Sequence, residues 1–398
     1  MKVVVIFDNF GPYHLARLNS SACLVDLLGV EVAGRSCDYS WSISEWQIRF
    51  KKETLCAEGI SCSLASAERR RRLNSVLERF RPEVIFVPGW SSATAFHALR
   101  WAVGNGVPAV AMSETTSHDG PRQGFKEWIK RRIVGLCSAA LVGGSRHAEY
   151  MAKLGMPKEK IYLGYDVVDN DYFQRRAEEV RAQSGTVRTE YNLPENYFLG
   201  SARFIEKKNL HRLIRAYALY QASAAIGRPW DLVLLGEGQL RAALEAQVSG
   251  ANLRPHVHLP GFKQYSELPL YYGCAGAFIH ASTIEQWGLV VNEAMASGLP
   301  VLVSNRCDCA PDLVQAGENG FTFDPFDVEQ MAHLMAHVAH LGNERRTRMG
   351  MFSQRIISQW GPEQFAAGVK LAAETAMATG PKHAGTAHRV MVHALSRR

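Results

Sequence analysis

The sequence predicts two doubly wound α/β domains, each built on a parallel sheet with helices on both faces. Three observations predict it. Short β-branched apolar runs at 3–7, 84–87, 109–112 and 301–303 alternate with helical stretches, which is the rhythm of buried parallel strands joined by helical crossovers. A length of 398 residues exceeds what one ordinary core uses. A polar stretch over 169–190, rich in Gln, Arg and Glu, reads as a linker. It divides the chain into domains at 1–180 and 190–360.

With 47% hydrophobic and 21% charged residues, the chain has the composition of a soluble globular protein. A net charge of +7 admits anionic partners, but the excess is spread along the chain and forms no basic arm, so nucleic acid is not expected. The cysteines show no Cys-x-x-Cys spacing, and Cys307-Asp308-Cys309 is too tight for ordinary zinc chelation. Reduced thiols in a cytoplasmic protein are expected. The N-terminal apolar run is too short for a signal peptide and reads as a first strand. No apolar run approaches the roughly 20 residues that span a bilayer, so any membrane contact is expected to be peripheral, at the inner face.

The strand at 3–7 ends in Asp8-Asn9-Phe10-Gly11-Pro12, and a helix follows from Tyr13. Strand, glycine-containing loop and helix open a doubly wound domain, whose ligand crevice lies at the carboxyl ends of its strands. One glycine is not a dinucleotide fingerprint. For His14, at the loop–helix junction, ligand contact and a structural role are both open. The helix over 65–81 carries Arg69, Arg70, Arg71 and Arg72 in succession. They go round the helix and read as a solvated surface in preference to a contact with acidic lipid or a partner. After the strand at 109–112, residues 113–120 bring His118 and Asp119 to the same sheet edge. The segment 122–134 combines Arg122, Lys126, Lys130, Arg131 and Arg132 with Phe125, Trp128, Ile129 and Ile133. That is the composition of an interfacial membrane helix. The preferred reading is a surface helix packing its apolar stripe on the sheet.

In the second domain a strand at 197–202 runs into Arg203-Phe204-Ile205-Glu206-Lys207-Lys208-Asn209 and a helix over 210–222. The strand at 230–235 ends in Gly236-Glu237-Gly238. Another strand leads through His280, Ser282 and Thr283 to Glu285, and a helix over 288–296 carries Glu293. A last helix over 362–377 and a flexible, basic, acid-free tail over 379–398 finish the chain. The first free N–H groups of a helix, at its positive dipole end, form a phosphate site. The helix starting at Gly288-Leu289-Val290 offers one. Arg203 and Lys208, on a loop that converges on the same edge, would neutralise a pyrophosphate. Glu285 and Glu293 flank the site and suit sugar hydroxyls. The pattern points to a sugar carried on a diphosphate, bound in a cleft between the domains.

This order and spacing resembles the retaining glycosyltransferases of family 4, described as glycosyl transferases group 1, which have the GT-B fold of two Rossmann-like domains facing a cleft. The resemblance covers about 197–330. It rests on Arg203…Lys208-Asn209, Gly236-Glu237-Gly238, Leu268-Pro269-Leu270-Tyr271-Tyr272, Ser282-x-x-Glu285-x-Trp287-Gly288-Leu289…Glu293-Ala294…Gly298-x-Pro300-Val301, and Asn319-Gly320. In the first domain it is thinner, through Gly11, His118 and Tyr165-Asp166-Val167-Val168-Asp169. The resemblance implies that Arg203 and Lys208 hold the donor diphosphate with the Leu289 and Val290 N–H groups. It implies that Glu293 holds the ribose, that Glu285 contacts the donor sugar, and that Gly236, Gly238 and Gly288 belong to the donor site. Gly11 would admit the donor phosphate, His118 would contact the sugar, and the last helix would cross back onto the first domain. Cys307-Asp308-Cys309-Ala310-Pro311-Asp312 departs from the family's Gly-Gly-x-x-Glu, and Trp287 stands where Phe is usual.

The chemistry expected is transfer from a UDP-, GDP- or ADP-sugar to a glycan or lipid-linked acceptor, in polysaccharide, glycolipid or other glycoconjugate synthesis. The aromatic and basic residues near Trp41, Trp46 and 122–132 suggest an amphipathic acceptor and peripheral contact with acidic membrane. Cleavage of the C1–O bond leaves negative charge on phosphate, which Arg203, Lys208 and the helix dipole stabilise. No general base stands out, as expected if the leaving phosphate takes the acceptor proton. No Asp-x-Asp stands at a strand end, so neither a metal nor a cofactor is expected. The rival readings are a non-catalytic sugar-nucleotide-binding subunit, a nucleotide-sugar epimerase, a phosphorylase, and a nicotinamide-dependent oxidoreductase suggested by Gly236-x-Gly238.

Overall fold

A computed structural model describes residues 1–35, 47–60, 65–90, 92–120, 123–223 and 229–382, with 385, 388 and 395. Trp41, Trp46, Cys37, Cys62, Arg122 and most of the tail over 379–398 lie outside the described residues. The chain forms two compact units, one of Met1–Val168 with Trp360–Arg398 and one of Asp169–Gln359.

The first unit has seven strands: β1 Lys2–Phe7, β2 Asp26–Arg35, β3 Lys51–Ile60, β4 Val84–Pro88, β5 Ala109–Ser113, β6 Ala139–Val142 and β7 Ile161–Leu163. All pair in parallel, in the order β3-β2-β1-β4-β5-β6-β7. Val3 opposes Leu27 on one side and Val84 on the other. Because strand side chains alternate, Val3 and Val5 join one core with Leu15, Leu18, Phe365 and Val369, while Val4 and Ile6 join the other with Leu73, Leu77 and Leu99. Burial on both faces explains why β1 reads as an unbroken apolar run. The helix Pro362–Thr379 belongs to this unit, because Phe365, Val369, Ala372, Ala373 and Ala376 form a stripe against the same core.

The second unit has six strands: β8 Tyr197–Ser201, β9 Asp231–Leu235, β10 Val257–Gly261, β11 Ala277–His280, β12 Val301–Ser304 and β13 Gly320–Phe323. They are parallel, in the order β10-β9-β8-β11-β12-β13. The stretch expected to be a linker is helical instead, as Asn170–Ala182 and Ser184–Glu190. The unit boundary falls at Val168/Asp169 and not near 180. The physical reason is a narrow stripe at helical spacing: Phe173, Ala177 and Val180 are buried. Gly273 in the helix Leu268–Cys274 lets Val180 pack closely, since a Cβ there would lie 2.7 Å from Val180 Cγ1.

Phe173 is fully buried among Tyr172, Tyr265 and Tyr272, with ring centroids 5.4, 5.2 and 6.0 Å away. Truncating such an aromatic removes its transfer energy and leaves a cavity. Phe173→Ala should therefore cost about 3–5 kcal/mol, read as a drop in the melting temperature of the second unit by differential scanning calorimetry.

Candidate functional site

In the second unit the strand order reverses between β8 and β11. Loops leaving such a switch point diverge and open a crevice at the carboxyl edge. The loop after β8 carries Arg203 and Lys208. The loop after β11 carries Ser282 and Glu285 and runs into the helix Leu289–Ala296. Short contacts stitch the two loops together. The Thr283 N–H donates to the Lys207 carbonyl at 2.8 Å. The buried Asn209 side chain donates to the Ala281 carbonyl at 3.0 Å and the Pro325 carbonyl at 2.7 Å. Asn209 holds a left-handed φ of +59°, which Asn tolerates better than most residues.

This stitching places Lys208 Nζ in an ion pair with Glu285 Oε2. The same oxygen accepts a hydrogen bond from Ser282 Oγ at 3.0 Å and lies 2.9 Å from His280 Nε2. Both charged side chains are 12% exposed, and His280 is 3% exposed. Burial alone would raise the Glu285 carboxyl. Lys208 and the His280 hydrogen bond outweigh it and hold the group well below its ordinary value of 4.5. Burial lowers His280, against the upward pull of Glu285. The cluster therefore holds an ionised carboxylate, one cation and a neutral imidazole. All three contacts fall on Oε2, which leaves Oε1 for a hydroxyl.

A second strap holds Glu285 from the other side. Its carbonyl accepts the Asp308 N–H at 3.0 Å, and it bridges to Cys307. Cys307 and Cys309 are fully buried, and burial pushes both thiols up, so they stay protonated. Gly288 starts the helix at φ +100°, a turn that L side chains rarely adopt. Trp287 Nε1 donates to Asn292 Oδ1 at 2.9 Å, fixing the entry. Leu289 and Val290 occupy the first turn, whose N–H groups have no acceptor within the helix. Glu293 is fully buried on the same helix and accepts from Tyr272 Oη at 2.7 Å. Burial and then Glu293 raise the Tyr272 phenol, so it remains a donor.

Gly236 and Gly238 have a packing role. A Cβ on Gly236 would lie 1.8 Å from the Ala202 carbonyl oxygen, and one on Gly238 would lie 2.6 Å from that of Phe204. The loop after β9 thus rests directly on the loop that carries Arg203, joined by Phe204 N–H to the Glu237 carbonyl at 2.7 Å.

Two predicted residues belong to the first unit. Gly11 is extended, at φ −110°, and caps the helix Pro12–Ser21. Its N–H donates to His14 Nδ1 at 3.1 Å. Burial, then Arg17, lowers His14 to about 3, so the imidazole is neutral and acts as a cap. His118 is exposed on the loop after β5, which Asp119 folds by accepting from the Thr116 N–H at 2.9 Å. Asp166 is buried beside Arg17, with 3.8 Å between Oδ1 and Nη2, and Arg17 Nε donates to the Val167 carbonyl at 3.1 Å.

The structure thus brings Lys208 and Glu285 into contact. It sets Arg203, Gly236 and Gly238 on touching loops, and Gly288, Leu289, Val290 and Glu293 on one helix. Sequence reasoning assigned no role to His280, Ser282, Asn209 or Tyr272. A histidine closing a buried strand five residues before Glu285 was the available signal. Removing one member of a buried ion pair strands the other. Lys208→Met should destabilise the second unit by about 3–5 kcal/mol. Adding Glu285→Gln should restore most of the loss, as read by thermal unfolding of the single and double variants.

Residues 186–355 match the family model described as glycosyl transferases group 1. Alpha-monoglucosyldiacylglycerol synthase of Acholeplasma laidlawii is 29% identical over 141 residues, 35% of this chain and 33% of that protein. The putative colanic acid biosynthesis glycosyltransferase WcaL of Salmonella typhimurium is 26% identical over 258 residues, 63% of this chain and 56% of that protein. The chain therefore spans about a third of the first relative and little more than half of the second. The crystal structure of Anabaena Alr3699/HepE in complex with UDP and glucose superposes with a TM-score of 0.69 at 18% identity, covering 93% of this chain and 98% of that one. The two parallel sheets are those of the GT-B fold, and the second unit carries the resemblance to the glycosyl transferases group 1.

Proposed function

We propose that the chain is a retaining glycosyltransferase that moves a sugar from a nucleoside diphosphate sugar to a glycan or lipid-linked acceptor. The observation that carries this reading is the Lys208–Glu285 pair at the switch point, beside the start of the helix Leu289–Ala296. Lys208 and Arg203 supply positive charge for a diphosphate, and the Leu289 and Val290 N–H groups add the helix dipole. Glu285 is kept ionised to accept from sugar hydroxyls, and Glu293 takes the ribose. Gly11 and His118 keep, as roles for the first unit, the donor-phosphate and donor-sugar contacts expected of them. Gly236 and Gly238 act by holding the Arg203 loop.

As the C1–O bond breaks, charge builds on the departing phosphate, where these cations and N–H groups stabilise it. The departing phosphate then takes the acceptor proton. In this reading no metal is required, because side-chain cations already occupy that role, and transfer should persist in EDTA. The UDP and glucose in the Anabaena complex favour UDP-sugars as the first donors to test, with GDP- and ADP-sugars beside them. The names of the Acholeplasma and Salmonella relatives support a diacylglycerol-type or polysaccharide acceptor.

The test is nucleoside diphosphate release with a panel of UDP-, GDP- and ADP-sugars, together with the anomeric configuration of the product. Glu285→Gln should lower turnover about 100-fold, the scale of losing one positioned electrostatic group, without unfolding the chain. Failure to bind any of the three donor classes would sink the proposal.

A further inference from the structure

The segment 122–134 reads either as a surface helix packed on its sheet or as an interfacial membrane helix, and in the helix Gly124–Val134 the apolar residues fall into two groups. Ile133 and Val134 are buried in the core of the first unit, and Ile129 packs against it. Phe125 and Trp128 do not join that core. They are 71% and 45% exposed, and their rings stack on each other with centroids 6.0 Å apart at 14°. Large aromatics left outside a core beside an existing apolar stripe need an explanation that folding does not supply.

The charges are sorted in the same way. Glu127, the one acidic residue of the helix, is half-buried and engaged: Tyr150 Oη lies 2.8 Å from both its oxygens, and Lys130 Nζ lies 3.1 Å from one. Lys130 also donates to Tyr150 Oη at 2.9 Å, so this lysine is part of the inner packing. Lys126, Arg131 and Arg132 are exposed, and Arg132 sits over the Trp128 ring at 5.1 Å. The outer face is therefore an aromatic pair flanked by three cations. The arginine-rich helix Ser66–Phe80 differs. There Arg71 and Arg72 bind Glu68, Arg79 binds Glu53, and Arg72 also reaches the Leu55 carbonyl at 2.7 Å.

We propose that the outer face of the helix Gly124–Val134 is a docking surface for an anionic phospholipid bilayer. Phe125 and Trp128 enter the interfacial layer, and Lys126, Arg131 and Arg132 pair with lipid phosphates. Charge complementarity selects this occupant, because two such cationic faces repel and a second copy of the chain does not fit. No helix among the described residues is long and apolar enough to cross a membrane, and the proposed contact uses only the outer face of this one helix. The proposal stands apart from the transfer reaction, since vesicle binding needs neither donor nor acceptor.

The experiment is co-sedimentation of the full chain with vesicles of phosphatidylcholine alone and of phosphatidylcholine with phosphatidylglycerol. Preferential binding to the anionic vesicles is expected, weakened by salt. The loss should be about tenfold or more, the scale of removing either signal in a two-signal anchor, for Phe125→Ser/Trp128→Ser and for Lys126→Glu/Arg131→Glu/Arg132→Glu. Thermal unfolding should show both variants folded; if one is not, the single variants Trp128→Ser and Arg131→Glu serve, each expected to weaken binding. Equal binding to neutral vesicles, or variants that sediment like the parent, would overturn the proposal. So would a concentration-dependent dimer in sedimentation velocity that Phe125→Ser/Trp128→Ser abolishes.

Discussion

The ionisation of Glu285 inside the second unit is the constraint on which the rest of the site depends. A carboxylate 12% exposed stays charged only with a partner. Lys208 is that partner, and it comes from another loop. Holding the two in contact requires the loops after β8 and β11 to be tied together, which Asn209 and the Thr283–Lys207 hydrogen bond achieve. That tie works only because both loops leave neighbouring strands where the sheet order reverses. The glycines after β9 serve the same end, since without them the loop beneath Arg203 could not approach.

A tight internal ion pair also suits the proposed transfer. An empty anion site made of free cations would compete with bulk salt, whereas Lys208 has an internal counter-ion in Glu285. A diphosphate offers Lys208 a more highly charged partner, and the sugar offers Glu285 hydroxyls. In the proposed reaction, binding donor therefore exchanges one internal contact for two to the ligand.

Most of this was legible in the sequence where chemistry and periodicity coincide. Val3, Val4 and Val5 read as a buried parallel strand because both faces of β1 are covered. Glu285, Lys208 and the helix at Gly288 read as one site because charge and backbone pattern agree. β2 and β3 carry no such signal. β3 is an edge strand with polar residues such as Lys51, Lys52 and Glu53, and Gly29 interrupts β2 where the Phe50 ring packs against it. The helix Asn170–Ala182 reads as a linker in the sequence because three buried residues in thirteen give a weak period. Tyr272 closes the Leu268-Pro269-Leu270-Tyr271-Tyr272 motif, but its bond to Glu293 joins two helices and has no local signature. Lys130 and Arg131 look alike in sequence, and only packing shows one facing Tyr150 and the other facing solvent.

In the proposed reaction Lys208 serves the diphosphate and Glu285 the sugar. Isothermal titration of the parent chain, Glu285→Gln and Lys208→Met with UDP and with a UDP-sugar, or with the GDP or ADP pair if the donor proves to be one of those, tests it directly. Lys208→Met should weaken both ligands. Glu285→Gln, which frees Lys208 from its counter-ion, should bind the nucleoside diphosphate as tightly as the parent or more so while binding the nucleotide sugar more weakly. Equal loss of both ligands in Glu285→Gln, or parent-like binding of both in Lys208→Met, would contradict it.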